Sequence, residues 1–137
     1  MKDSRVFEFA RAVAEMSHFW RQKVGCVIVY KKKIISTGFN SSKTHPLQKE
    51  YNKFRYTDDN TPHCIHAEIH ALMPLRNTDI EWSKVKLYVY RVKKNEECGC
   101  GYARPCPACM KYINDLGIKH IYYTTSESPV HEVLDVN

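Results

Sequence analysis

Apolar positions in the first stretch of the chain recur at mixed three- and four-residue spacings: Val6, Phe7, Phe9, Ala10, Val13 and Ala14. That period predicts an amphipathic helix over 4–16. The pattern then changes. "VGCVIVY" (24–30) is a short, β-branched apolar run typical of a buried strand, and after "KKK" the run "IISTGF" (34–39) completes a hairpin. Residues 41–62 are polar, contain Pro46 and Pro62, and read as a long loop, of a kind that is often functional inside a compact domain. "HAEIHALMPL" returns to helix, with Pro74 marking or kinking its end. "KLYVYRV" (86–92) reads as a strand, "CPACMKYINDLG" as a helix closed by Gly117, and "IKHIYYTT" as the last clear strand. Helix, hairpin, helix, strand, helix, strand predicts an α/β layered fold, one sheet with helices on both faces. The 137 residues show no repeat, low-complexity segment or linker, so 1–137 is expected to form one domain.

Composition narrows the classes. A hydrophobic content of 43% with 26% charged residues is ordinary for a soluble globular protein. No stretch approaches the ~18 apolar residues of a membrane span. The opening segment carries Asp3, Glu8 and Glu15 and lacks the continuous apolar core of a signal peptide. A cytoplasmic location and no membrane partner are therefore expected. In a reducing compartment Cys26, Cys64, Cys98, Cys100, Cys106 and Cys109 suit core or metal-ligand roles better than a disulfide framework. A net charge of +6 and a pI near 9.0 point to an anionic partner, although a lysine-rich solvated surface explains the charge equally well.

Two stretches carry candidate chemistry, "HCIHAEIHAL" (63–72) and "YARPCPACM" (102–110). Cys106 and Cys109 form a C-x-x-C pair where a helix should start, and helix N-termini favour thiolates. Two thiolates need at least one more ligand, and His66 stands at the start of the other motif helix. Glu68, two positions on, lies about 200° around a regular helix, so both can reach one ion only from the helix mouth. Three protein ligands and an open fourth position are the layout of a catalytic zinc. The rival patterns fit less well. A zincin needs H-E-x-x-H, and here an alanine follows His66. A zinc ribbon from Cys98, Cys100, Cys106 and Cys109 fails because paired knuckles sit ~15–20 residues apart. A thioredoxin-type pair leaves His66 and Glu68 without purpose. Either motif alone could be a buried helix with a stray histidine or an inert C-x-x-C; the two together argue against that.

H-x-E followed by P-C-x-x-C is the signature of zinc nucleobase deaminases. On these motifs, with "KVGCVIVYKKKIISTGFN" and "IKHIYYTT", the chain resembles the zinc-dependent cytidine and deoxycytidylate deaminase superfamily over most of its length. The resemblance implies a three-layer cytidine-deaminase-like sandwich, with a central mixed sheet and helices on both faces. It implies one catalytic zinc on His66, Cys106 and Cys109, with Glu68 moving protons as an exocyclic amine is hydrolysed. It further implies that the Ala67 backbone N–H polarises the base carbonyl and that Asn40, closing "TGFN", contacts the sugar. A turn residue ending a strand suits Asn40 as well. Free-nucleoside cytidine deaminases usually present C-A-E; the H-A-E here is similar to the deoxycytidylate, tRNA-adenosine, guanine and polynucleotide-cytosine branches. Arg104 precedes "PC" where tRNA-adenosine deaminases typically place glutamate, a departure from that branch. The small size and the "ARPCPACM … GIKHIYYT" run look most like stand-alone bacteriophage deaminases of the deoxycytidylate type, acting in the host cytoplasm.

The expected reaction is conversion of dCMP to dUMP with release of ammonia, by a homo-oligomer. One alternative is a deaminase acting on cytosine or adenine in single-stranded DNA or RNA. Another is a non-catalytic, zinc-stabilised nucleotide-binding module, against which Glu68 argues. "KTHPLQKEYNKFRY" interleaves Lys43, Lys49, Lys53 and Arg55 with Tyr51, Phe54 and Tyr56. That mixture suits single-stranded nucleic acid, a lone nucleotide phosphate held by Arg55 and Arg104, or a solvated loop pinned by its aromatics. Cys98, Cys100 and Cys64, with His63 or His45, offer a second, structural zinc site, weakened by the unusual C-x-C spacing.

Overall fold

Branched and apolar side chains in "VGCVIVY" favour a pleated, buried backbone, and the sheet is organised around that run. A computed structural model describes residues 2–19, 22–54, 64–92, 100–101, 103–125 and 131–135. In it β1 (Lys23–Tyr30) lies between β2 (Lys33–Phe39) and β3 (Lys86–Val92), antiparallel to both. Lys31 and Lys32 close the β1–β2 hairpin with φ of 51° and 63°, a two-residue turn whose twist matches that of the strands. β5 (His120–Thr124) pairs parallel with β3, and β6 (His131–Asp135) pairs antiparallel with β5. The short β4 (Cys100–Gly101) pairs with Arg91 and Val92, prolonging that edge of β3 beyond the last β5 pairing. The order is β2-β1-β3-β5-β6, a mixed sheet.

Alternation along the strands divides the core in two. Val27, Val29, Tyr88 and Tyr90 face α1 (Asp3–Glu15), which contributes Val6, Phe7, Ala10, Val13 and Ala14. Cys26, Ile28, Leu87, Val89, Ile121 and Tyr123 face the other way, towards α3 (Ala67–Leu72) and α4 (Pro107–Leu116). These are the three layers the resemblance implied. On each face a glycine lets a helix backbone touch the sheet. A Cβ on Gly25 would lie 2.4 Å from the Ala10 carbonyl oxygen of α1, and one on Gly38 2.4 Å from the Ala71 nitrogen of α3. The facing helix positions are alanines four apart, Ala10 and Ala14, Ala67 and Ala71, so contact is close along a full turn.

Most of the expected elements are found, with α4 ending at Gly117 in the left-handed region (φ 96°) and α3 passing into a 3₁₀ turn, Met73–Leu75, at Pro74. Two expectations need correction. Part of the stretch read as a 41–62 loop is a helix, α2 (Pro46–Asn52). Pro46 occupies its first position, where a missing N–H costs nothing, and His45 caps it by accepting from the Leu47 N–H at 3.0 Å. Its buried residues are the polar Gln48 and Asn52, so no hydrophobic period announced it. The run "IKHIYYTT" is also not the last strand, because β6 pairs with the outer edge of β5. Among the described residues no helix is long and apolar enough to cross a membrane.

Replacing Gly38 by alanine should force α3 off the sheet, and Gly25→Ala should do the same to α1. Overpacking of this kind costs ~1–3 kcal/mol. Urea unfolding should show a lowered midpoint for each variant, and an unchanged midpoint would contradict the close packing at that face.

Candidate metal centre

The N-termini of α3 and α4 meet on one face of the sheet. His66 is the N-cap of α3 and Cys106 the N-cap of α4, both with extended backbone (φ −86°, ψ 157° and φ −70°, ψ 166°). Pro107 explains the second: a residue before proline is driven out of the helical region, while the proline itself is pre-set for the first helical position. Cys109, three residues on, completes one turn, so the C-x-x-C spacing delivers both sulfurs to the helix mouth. Nδ1 of His66 lies 3.5 Å from Sγ of Cys106 and 3.3 Å from Sγ of Cys109, and the three ligand atoms all lie within 4.8 Å of one another. A tetrahedral zinc with ordinary bonds would place a nitrogen and a sulfur about 3.5 Å apart. The donor set therefore fits the ion. Cys109 is fully buried, whereas His66 and Cys106 are partly exposed, so the cluster opens on one side.

Charge at the cluster is tuned by these same contacts. The Cys106 thiol is pushed down to about 4, first by a hydrogen bond from the Cys109 thiol and further by His66. That shared hydrogen bond, with burial, pushes Cys109 up. Cys106 is thus the ready thiolate. Glu68 is buried in the first turn of α3, beside His66, Cys106 and Cys109. Burial raises its pKa, opposed by the neighbouring His66. The 200° between His66 and Glu68 on a helical wheel does not separate them, since N-cap and second position both open at the helix end.

The other expected residues fall into three groups. Ala67 is buried as the first residue of α3, and its N–H is one of those a helix leaves without an intrahelical acceptor. Asn40 ties the scaffold together. Its Oδ1 accepts from the Val24 N–H and its Nδ2 donates to the Gln22 carbonyl, both at 2.9 Å, while its own carbonyl accepts from the Ser17 hydroxyl at 2.7 Å. The next residue, Ser41, donates its N–H to the Ile65 carbonyl, which sets Asn40 beside the segment carrying His66. Arg104 is exposed two residues before Cys106. Arg55, Tyr56, His63, Cys98 and the side chain of Cys100 lie outside the described residues. Of the remaining second-site candidates, Cys64 forms an isolated bridge with Thr44, and the His45 imidazole caps α2. Among the described residues, His66, Cys106 and Cys109 are the one group of such donors close enough to hold a metal.

Two polar residues near the centre make contacts that the sequence does not show. His70, one turn beyond His66, accepts the Phe39 N–H on Nδ1 at 3.0 Å, and so pins the end of β2 instead of joining a metal site. Gln48 of α2 accepts the His66 N–H at 3.0 Å. Only the tertiary arrangement shows either contact, because both partners lie on distant elements.

The family model described as the cytidine and deoxycytidylate deaminase zinc-binding region matches residues 1–125. A deoxycytidylate deaminase of Saccharomyces cerevisiae is 29% identical over 131 residues, which are 90% of this chain and 38% of that protein. The deoxycytidylate deaminase of Enterobacteria phage T2 is 29% identical over 149 residues, covering 90% of this chain and 79% of that one. The crystal structure of dCMP deaminase from the cyanophage S-TIM5 shares the fold, with a TM-score of 0.61 at 24% identity over 93% of this chain and 88% of that chain. The chain spans well under half the length of the Saccharomyces cerevisiae relative. With the matched region containing the H-A-E and P-C-x-x-C residues that meet at the two helix ends, the chain belongs to the cytidine and deoxycytidylate deaminase zinc-binding family.

Proposed function

We propose that the protein is a zinc-dependent hydrolytic deaminase of a cytosine nucleotide, and that deoxycytidylate, converted to deoxyuridylate with release of ammonia, is its substrate. The observation that carries this reading is Glu68, an acid buried beside the three side chains that could hold a metal at the two helix ends. A purely structural zinc site has no use for such a group. Deoxycytidylate is the substrate named for the Saccharomyces cerevisiae and phage T2 relatives.

The roles follow from placement. Zinc held by His66, Cys106 and Cys109 supplies, when bound, the polarisation that lets a water attack at neutral pH. Glu68 accepts a proton from that water and gives it to the ring nitrogen beside the amine-bearing carbon. A second transfer through the same carboxylate goes to the departing amine, so one acid serves both sequential steps. A carbon–oxygen bond forms, a carbon–nitrogen bond breaks, and ammonia leaves. The Ala67 N–H, directed out of the helix mouth, meets the base carbonyl. Asn40 uses the amide hydrogen beyond its bond to Gln22 for the sugar. Arg104 and Arg55 take the phosphate. Tyr51 disfavours a nucleic-acid strand laid along α2: its ring packs on Tyr112 at 5.0 Å and its hydroxyl donates to Asp115, so it is not a free stacking platform.

Purified protein should hold one zinc per chain and release ammonia from deoxycytidylate. Glu68→Ala should keep the zinc and lose turnover, whereas Cys106→Ser or Cys109→Ser should lose metal and stability together. Substantial activity in Glu68→Ala would remove Glu68 from the mechanism. Arg104→Ala should raise KM for deoxycytidylate by roughly tenfold or more, the equivalent of one charge-assisted hydrogen bond at ~1.5–3 kcal/mol. Affinity should depend only weakly on salt, since a strand contacting several phosphates would show a slope of about 0.7 per contact. Efficient action on a single-stranded oligonucleotide, with deoxycytidylate untouched, would overturn the substrate assignment.

A further inference from the structure

α3 begins without the local support a helix normally has. The side chain of its N-cap, His66, makes no capping hydrogen bond, because Nδ1 faces the two thiols. In a capping box the residue three positions on reaches back to the N-cap N–H. Here that position is Ile69, which has no acceptor to offer. The acceptor comes instead from another helix. Gln48, wholly buried on α2, takes the His66 N–H on Oε1 at 3.0 Å and donates from Nε2 to Oδ1 of Asn52 at 2.7 Å. A backbone N–H can only donate, so the orientation of the Gln48 amide is fixed by its partner.

α2 also grips the other ligand-bearing helix. The Tyr51 hydroxyl donates to Oδ2 of Asp115 at 2.7 Å, and the Tyr51 ring lies on Tyr112, one turn past Cys109. One short helix therefore spans the two that supply the metal ligands. Its polar inward face follows from that position, since an amide is tolerated in a core only when its hydrogen bonds are made.

We infer that Gln48 is a positioning residue for the metal ligand His66, fixing the backbone at the N-cap of α3 and with it the direction of the imidazole. The inference rests on the reading of His66 as a zinc ligand. Partners that orient a ligand from behind typically change metal affinity by 10–100-fold when removed. Gln48 does so through the main chain and does not touch the ring. Its effect is on where the imidazole points.

Zinc affinity of the full chain, measured by competition with a chromophoric chelator well below the unfolding temperature, tests this. Gln48→Met keeps the length of the side chain and removes the acceptor, and should weaken zinc binding roughly 10–100-fold. Gln48→Glu retains an acceptor for the His66 N–H and should hold zinc at least as tightly as wild type. Tyr51→Phe cuts the α2–α4 bond without touching His66; it should lower the melting temperature and leave zinc affinity unchanged. Wild-type affinity in Gln48→Met overturns the role. An equal loss in Tyr51→Phe overturns it too, because general slackening of α2 would then be the cause. Should Gln48→Met not fold, Asn52→Leu, which frees the Gln48 amide, should weaken zinc binding in the same direction, and an unchanged affinity there overturns the role. His66→Ala separates the two ideas. If that variant keeps wild-type zinc affinity, the ligand assignment itself is wrong; if it loses zinc while Gln48→Met does not, only the positioning role fails.

Discussion

One imidazole nitrogen must meet two thiol sulfurs that follow it in sequence by 40 and 43 residues, and the layers of this fold serve that meeting. Two sulfurs side by side near a carboxylate are an unfavourable grouping of negative charge. The arrangement offsets it with two helix N-termini, whose unpaired N–H groups and dipoles favour anions. Both helices must then end at the same point and on the same face of the sheet. α3 reaches that face directly after the polar stretch, and α4 is part of the crossover that the parallel β3–β5 pair requires.

Small residues make the approach possible. Gly38 of β2, opposite Ala67 and Ala71, brings the α3 backbone onto the sheet, so the helix that carries His66 and Glu68 rests on a strand and not on long side chains. Asn40 and His70 then lock the end of β2 by bonding to main-chain groups of its neighbours and of Phe39. Beyond Asn40, the Ser41 N–H bonds to the Ile65 carbonyl and ties this strand end to the segment that carries His66. α2 braces it from the side, joining His66 to Gln48 and Asp115 to Tyr51.

The parts of this design that were legible in the sequence are those in which spacing has a physical meaning. C-x-x-C after a proline could be placed at a helix start because cap position and third position share one mouth, and the structure puts Cys106 and Cys109 at those two places. Short apolar, β-branched runs likewise predicted the strands β1 and β3, whose middles are continuously buried. α2 was illegible because its buried side chains, Gln48 and Asn52, are polar and mimic a loop, and because Pro46 serves as a helix start where it reads as a breaker. β6 was missed because "HEVLD" has no continuous apolar run. The resemblance assigned Asn40 to the sugar, whereas its buried amide also carries a structural task that no local pattern reveals.

The central claim is that a single ion is held by one nitrogen and two sulfurs, with a fourth place left open to chemistry. Zinc K-edge X-ray absorption on the purified protein tests it directly. The expected shell is two sulfurs at ~2.3 Å and two lighter atoms at ~2.0–2.1 Å, one of them an imidazole nitrogen. A shell of four sulfurs, or of lighter atoms alone, would contradict it.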